Sequence, residues 1–138
     1  MSKEQVKQLN PVTLAFLGDA VYALWVRERL VRSNTGKPSA LNKTAASVLS
    51  ARGQSAFLER VLPTLTVEEE EIFRRGRNAK KPTKSKHATA AEYNRSTGFE
   101  AVIGYLYLLG DMQRIESLLS LIDEENLKGQ AAAQPFKP

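Results

Sequence analysis

The chain has 138 residues, 42% of them hydrophobic, which is enough for one ordinary core and predicts a single domain. It contains no cysteine, which excludes a disulfide framework, a thiolate metal site and a cysteine nucleophile, and fits a reducing intracellular compartment. The first residues are polar and no segment approaches the roughly 20 apolar residues of a membrane span, so we expect a soluble, cytoplasmic protein.

The first half of the chain predicts four helices. Asn10-Pro11 is typical of a helix start, and apolar residues at three- and four-residue spacing then indicate a long helix to about residue 32. Ser39 is the expected cap of a second helix, which carries Leu41 and Leu49. We expect a third helix at about residues 54–62, stopped by Pro63, and a fourth that follows the capping box at residues 66–69 and ends near Gly76.

The second half predicts two more helices, at about residues 89–109 and 112–124, separated by a stop and a new cap at Gly110-Asp111. Residues 76–88 have no apolar periodicity and are expected to form an exposed loop. No segment alternates like a strand, so the predicted class is all-α. Residues 1–128 are expected to form one domain and residues 129–138 a disordered tail.

The net charge of +5 is concentrated in residues 74–86, which contain no acid, whereas the rest of the chain is slightly acidic. The basic residues of this segment are Arg74, Arg75, Arg77, Lys80, Lys81, Lys84 and Lys86. Lysine and arginine can neutralise nucleic-acid phosphates, and the absence of an aromatic residue favours contact with a duplex backbone over stacking on single-stranded bases. The alternative is a solvated basic loop without a ligand.

Two carboxylates interrupt the most apolar predicted helices: Asp19 in the long first helix and Glu100 in the helix at residues 89–109. A buried carboxylate must meet a cation, hydrogen-bond donors or a water-filled cleft, because it is otherwise strongly disfavoured. Two such groups on facing helices form a hard oxygen site suited to Mg²⁺ or Mn²⁺. Local partners for each acid separately are the alternative, which spacing alone leaves open.

Gly18, Gly98 and Gly104 lie inside predicted helices, where each costs about 1 kcal/mol relative to alanine. A compensating advantage is close approach of two helices beside the acids. The sequence therefore predicts tight helix crossings at these positions.

The run at residues 14–21, Leu-Ala-Phe-Leu-Gly-Asp-Ala-Val, resembles the signature motif of the ribonuclease III family. The run at residues 99–105, Phe-Glu-Ala-Val-Ile-Gly-Tyr, resembles the family's second catalytic segment, and the two motifs stand in the family's order. The resemblance implies a ribonuclease III endonuclease-like helical bundle with Asp19 and Glu100 as catalytic, metal-binding residues. Further acids that most members carry are replaced here by Val12, Ala15 and Thr97.

The chain ends soon after the second motif, where most members continue into a double-stranded-RNA-binding domain. This length is similar to that of the stand-alone Mini-ribonuclease III branch. The reduced set of acids and the segment Arg75-Gly76-Arg77-Asn78 resemble the same branch. The resemblance implies that Asn78 also belongs to the RNA-binding residues. The resemblance implies a Mg²⁺-dependent homodimer that cleaves both strands of an RNA duplex, leaves 5′-phosphates, and acts on the 23S ribosomal RNA precursor.

Two other functions fit the same features. A non-cleaving RNA-binding scaffold of this fold would explain the missing acids, and it would bind duplex RNA without cutting it in Mg²⁺. A helical DNA-binding regulator would use the basic segment on B-form DNA, but it leaves the two acids in the predicted core unexplained.

Overall fold

The structure is a computed structural model that describes residues 1–33, 36–81 and 88–122. Within these ranges all regular elements are helical, which confirms the all-α prediction. In chain order the α-helices are α1 (Lys3–Lys7), α2 (Pro11–Ser33), α3 (Pro38–Leu49), α4 (Ala51–Val61), α5 (Val67–Asn78), α6 (Ala90–Leu108) and α7 (Met112–Leu119), with a 3₁₀ turn at Leu62–Thr64. The predicted tail at residues 129–138 lies outside the described residues.

Helix α6 is the centre of the bundle. It packs most extensively against α2, then against α5 and α4, and it also contacts α7. Because neighbours surround it, residues 96–106 are all buried with the single exception of Glu100. This exception places a half-buried carboxylate in the most enclosed helix of the domain.

Three aromatic rings join α2, α4 and α6 in the core. Tyr22, Phe57 and Phe99 are each almost completely buried, and their ring centroids lie 5.3 to 6.0 Å apart. Two of the three contacts are edge-to-face, an arrangement that adds to the stabilisation from burial. The cluster fixes the distance between the helices that carry the two acids.

Glycines allow the predicted close crossings. A Cβ atom on Gly18 would lie 1.7 Å from the Glu100 carbonyl oxygen, and one on Gly104 would lie 2.0 Å from the Leu14 carbonyl oxygen. The backbones of α2 and α6 are therefore in direct contact beside the acids. On the other side of α6, a Cβ on Gly98 would lie 2.6 Å from the Phe73 carbonyl oxygen of α5. The prediction of close approach at all three glycines is confirmed.

Several helix boundaries differ from the sequence-based expectation. Helix α3 begins at Pro38 and Lys37 is its N-cap, so the assignment of Ser39 as the cap is wrong, because Pro38 already occupies the first helical position. Helix α4 begins three residues earlier than expected, since the Ser50 hydroxyl accepts a hydrogen bond from the Gly53 amide. Helix α7 ends at Leu119, within the predicted range of residues 112–124.

Helix α1 was not expected, because residues 1–8 are polar. Ser2 and Gln5 form a capping box, and the only buried side chain of this helix is that of Val6. Its C-terminal end is held by Arg75, whose guanidinium donates to the carbonyl oxygens of Lys7 at 2.6 Å and Leu9 at 3.0 Å. Long-range contacts that a local pattern does not encode thus stabilise the short helix.

Over the described ranges, no helix is both long enough and apolar enough to cross a membrane.

Candidate active site

The crossing of α2 and α6 brings Asp19 and Glu100 together. Gly18 is pressed against the backbone of Glu100 itself, so the residue that follows it on α2 is placed beside the Glu100 side chain. The two carboxyl groups are within hydrogen-bonding reach, and the charge of Asp19 acts on Glu100. The structure therefore brings the two predicted metal-binding residues into one site.

The two acids differ in their surroundings. Glu100 is half-buried, whereas Asp19 is exposed. The expectation of a buried Asp19 is therefore wrong, because Gly18 takes the position nearest α6 and the next residue lies at the edge of the contact. A cation, hydrogen-bond donors or water were expected beside this carboxylate, and in the structure Asp19 is accessible to water.

Gln54 of α4 is the third polar side chain of the site, and the sequence analysis did not assign it. It is completely buried, and its Nε2 donates to the Glu100 Oε2 at 3.2 Å and to the Leu49 carbonyl oxygen at 3.0 Å. A fully buried glutamine is unusual and is the signal that could have identified it, but only a structure reveals the burial.

Tyr22 lies one helical turn after Asp19 on α2. Its hydroxyl is buried and has no hydrogen-bond partner among the described residues. Burial, and then the charge of Glu100, raise its pKa, so the phenol stays protonated. The ring supports the site as part of the aromatic cluster.

The pKa of Glu100 is raised from its ordinary value of 4.5 to about 8. Burial is the main cause, the negative charge of Asp19 is the second, and the hydrogen bond from Gln54 opposes both. Two adjacent acids in a partly desolvated position disfavour double ionisation, and a bound cation would remove that penalty. The pair thus has the donor chemistry of a divalent-cation site.

The positions of the missing acids are packed with other side chains. Ala15 and Thr97 are buried, and the Thr97 hydroxyl donates to the Tyr93 carbonyl oxygen at 3.0 Å. Among the residues that the structure describes, no group of three or more acidic, histidine or cysteine side chains could hold a metal ion. A cation here would have only two carboxylates as charged protein ligands.

The predicted RNA-binding residues separate into different environments. Helix α5 continues to Asn78, so Arg74, Arg75 and Arg77 are helical and the expectation of a loop from Gly76 is wrong for its first residues. Arg74, Arg77, Asn78 and Lys80 are exposed, and Lys81 is partly exposed, its ammonium donating to the Arg77 carbonyl oxygen at 2.7 Å. The guanidinium of Arg75 instead faces the end of α1. Lys84 and Lys86 lie outside the described residues.

The exposed basic end of α5 packs against α6 close to the acids. Gly76 lies against Gly98, where an added Cβ would be 2.9 Å from the Gly98 Cα, two residues before Glu100 along the chain. The backbone of α5, which carries the basic residues, thus contacts the helix that carries Glu100.

Comparison with known proteins identifies the class to which this fold and site belong. Residues 12–111 match the Ribonuclease III domain family, which includes both acids. The chain belongs to the ribonuclease III family. Membership confirms the prediction of an endoribonuclease specific for double-stranded RNA.

The more specific resemblance is to Mini-ribonuclease 3 proteins. The chain is 43% identical to that of Symbiobacterium thermophilum over 122 residues, covering 88% of this chain and 94% of the relative. It is 43% identical to that of Streptococcus pneumoniae, covering 83% and 91%. A crystal structure of a protein from Fusobacterium nucleatum superposes with a TM-score of 0.76 at 30% identity, covering 83% of this chain and 92% of that one. The predicted resemblance to Mini-ribonuclease III and the ribonuclease III-like fold are confirmed.

The raised pKa of Glu100 predicts a pH-dependent stability in chelator. Between about pH 4.5 and 8 the folded chain keeps a proton on Glu100 that the unfolded chain releases, so the free energy of unfolding falls as pH rises through this window. Glu100→Gln removes the ionisation, and its melting temperature should exceed that of the wild type by a margin that grows from pH 5 to pH 8. Thermal unfolding followed by circular dichroism measures this, with Glu71→Gln, on the exposed face of α5, as the control. A constant difference across the window would contradict the prediction.

Proposed function

We propose that this chain hydrolyses phosphodiester bonds in double-stranded RNA at Asp19 and Glu100, with a divalent ion, Mg²⁺ or Mn²⁺, held between them. The observation that carries the proposal is the acid pair itself: two carboxyl groups from different helices meet where glycines allow the backbones to come into contact. Their mutual repulsion favours a cation, and oxygen ligands favour a hard one.

The ion would supply a water of lowered pKa and would stabilise the charge that develops on the phosphate. Asp19 is exposed and can reach a ligand from solvent, while Glu100 is anchored in the enclosed helix by Gln54. Asp19 is thus the acid that a ligand can reach from solvent, and Glu100 is the acid whose position is fixed. Products with 5′-phosphate and 3′-hydroxyl ends are expected from the family resemblance.

The RNA duplex would be held by the exposed basic residues at the end of α5. Arg74, Arg77 and Lys80 present charge to solvent, and Asn78 offers a polar side chain on the same turn. Neutralisation of phosphates is the main source of affinity for such a surface. We expect Lys81, Lys84 and Lys86 to extend this surface, and we assign Arg75 a structural role first.

The proposed active form is a homodimer. Helix α2 exposes a line of apolar residues that no described residue covers: Phe16 is 82% exposed, and Leu24 and Val31 are each 69% exposed. These residues are spaced so that they share one face, with the exposed Ala20 between the first two. An exposed apolar face of this kind indicates an association surface, and the family resemblance names a second copy of the chain as its occupant.

The family resemblance also supplies the expected biological setting. We propose that residues 1–128 act as a single catalytic domain on the 23S ribosomal RNA precursor in the cytoplasm. The similarity to Mini-ribonuclease 3 proteins over most of the chain supports this assignment.

Replacing either acid by alanine should abolish cleavage. Asp19→Ala and Glu100→Ala each remove a carboxyl group but little packing, so helical circular dichroism should be nearly unchanged while cutting of a labelled RNA duplex in Mg²⁺ is lost. Glu71→Ala, which removes an exposed acid of α5, is the matched control and should cut normally.

Full activity in both acid variants would contradict the assignment of the site. A wild-type chain that binds the duplex in Mg²⁺ and in chelator but cuts it in neither would favour the non-cleaving scaffold.

The arginines of α5 should separate by function. Arg74→Ala with Arg77→Ala should weaken duplex binding and reduce the dependence of log Kd on log salt concentration by about one unit for each lost phosphate contact. Arg75→Ala should instead lower the free energy of unfolding by about 2 kcal/mol, because two charge-assisted hydrogen bonds to α1 are lost. Filter binding at several salt concentrations, together with thermal melts, tests both. If Arg75→Ala reduces the salt dependence as strongly and leaves stability unchanged, the separation is wrong.

Phe16→Asp should convert a dimer into a monomer, since a charge replaces the largest exposed apolar side chain of α2. Val67→Asp is the control, because Val67 is 84% exposed but belongs to the start of α5 and not to α2. Sedimentation equilibrium gives the mass of each. A monomeric wild type, or a Phe16→Asp variant that remains dimeric, would contradict the proposed interface.

A further inference from the structure

Gln54 has an unusually constrained position next to the acids. The side chain is completely buried, and its amide nitrogen donates both to the Leu49 carbonyl oxygen and to the Glu100 Oε2. The Leu49 carbonyl oxygen can only accept a hydrogen bond, so the nitrogen must face it, and a flipped amide would place the Gln54 Oε1 against that oxygen. The orientation of the amide is therefore fixed by its surroundings.

Apolar packing of the core does not explain this residue. The Gln54 Oε1 is buried without a hydrogen-bond partner among the described residues, and an unsatisfied buried acceptor is destabilising. An apolar side chain of similar volume would avoid that cost, but it would take the donor from the Leu49 carbonyl oxygen and from the Glu100 Oε2. The presence of a buried glutamine at this position therefore needs an explanation other than packing.

The corner between α3 and α4 holds Gln54 rigidly. Ser50 ends α3 and caps α4, and a Cβ on the following Gly53 would lie 1.8 Å from the Ser47 carbonyl oxygen. The start of α4 is thus packed directly on the backbone of α3. A donor mounted on this corner has little freedom to move away from Glu100.

From this geometry we propose that Gln54 is a positioning residue, which holds the Glu100 carboxylate in one orientation by donating from the rigid corner of α3 and α4. The inference deepens the proposed function and rests on it, since the orientation of Glu100 matters only if that carboxylate takes part in cleavage. Partners that orient ligating carboxylates commonly change activity by about 10–100-fold when removed.

The test uses Gln54→Leu, which keeps much of the volume and removes the donor. We expect kcat for a labelled RNA duplex to fall by about 10–100-fold while KM stays within about twofold, because the RNA-binding residues are untouched. Gln54→Met is a second variant with an unbranched side chain, in case leucine does not fit. Thr44→Val is the matched control, since Thr44 is completely buried and its hydroxyl has no hydrogen-bond partner within the described part of the chain.

A measurement without catalysis separates positioning from general destabilisation. In protein labelled with ¹³C at glutamate carboxyl groups, the Glu100 resonance can be assigned by its loss in Glu100→Ala. In chelator, Gln54→Leu and Gln54→Met should shift or broaden this resonance and leave those of other glutamates in place, whereas Thr44→Val should not affect it.

A Gln54→Leu or Gln54→Met variant that folds and keeps the wild-type kcat and an unchanged Glu100 resonance would overturn the proposal. An equal loss of kcat in Thr44→Val would overturn it too, because the effect would then be one of core stability. A wild-type chain that cuts no duplex contradicts the proposed function itself, whereas an inactive Glu100→Ala beside a fully active Gln54→Leu contradicts only the role of Gln54.

Discussion

The direct backbone contact between α2 and α6 is the constraint on which the rest of the molecule depends. Gly18 and Gly104 let the two longest helices approach until main-chain atoms touch. This contact fixes the register of the helices, so that Asp19 and Glu100 meet at their edge. It also leaves α6 surrounded by neighbours, which gives Glu100 its desolvated environment and its raised pKa.

Local patterns predicted the helices and the two acids, because periodicity, caps and motifs are encoded in neighbouring residues. The same patterns could not predict that Asp19 is exposed, since this depends on which side of Gly18 faces α6. Gln54 was missed for a similar reason: its partner Glu100 lies 46 residues away, and only the packing of α4 on α6 brings them together. Helix α1 has one buried side chain, too weak a pattern to recognise in a polar segment.

The basic segment shows that charges adjacent in a sequence can lie in different environments in a fold. Arg74 and Arg77 lie on the solvent side of α5, whereas Arg75 is turned toward the bundle. Since one residue along a helix rotates the side chain by about 100°, adjacent arginines cannot share a surface. Net charge alone therefore overstated the cations available to a nucleic acid, although the segment was correctly recognised as basic.

The carbonyl oxygens of Lys7 and Leu9 accept hydrogen bonds from the Arg75 guanidinium, as the oxygens of an external anion could. The N-terminal segment thus binds the Arg75 guanidinium, so this cation is less available to a ligand from solvent. Its removal, by proteolysis or by fraying at high temperature, would return that cation to solvent beside Arg74. The first nine residues therefore influence the electrostatic potential at the end of α5, although none of them belongs to the acid pair.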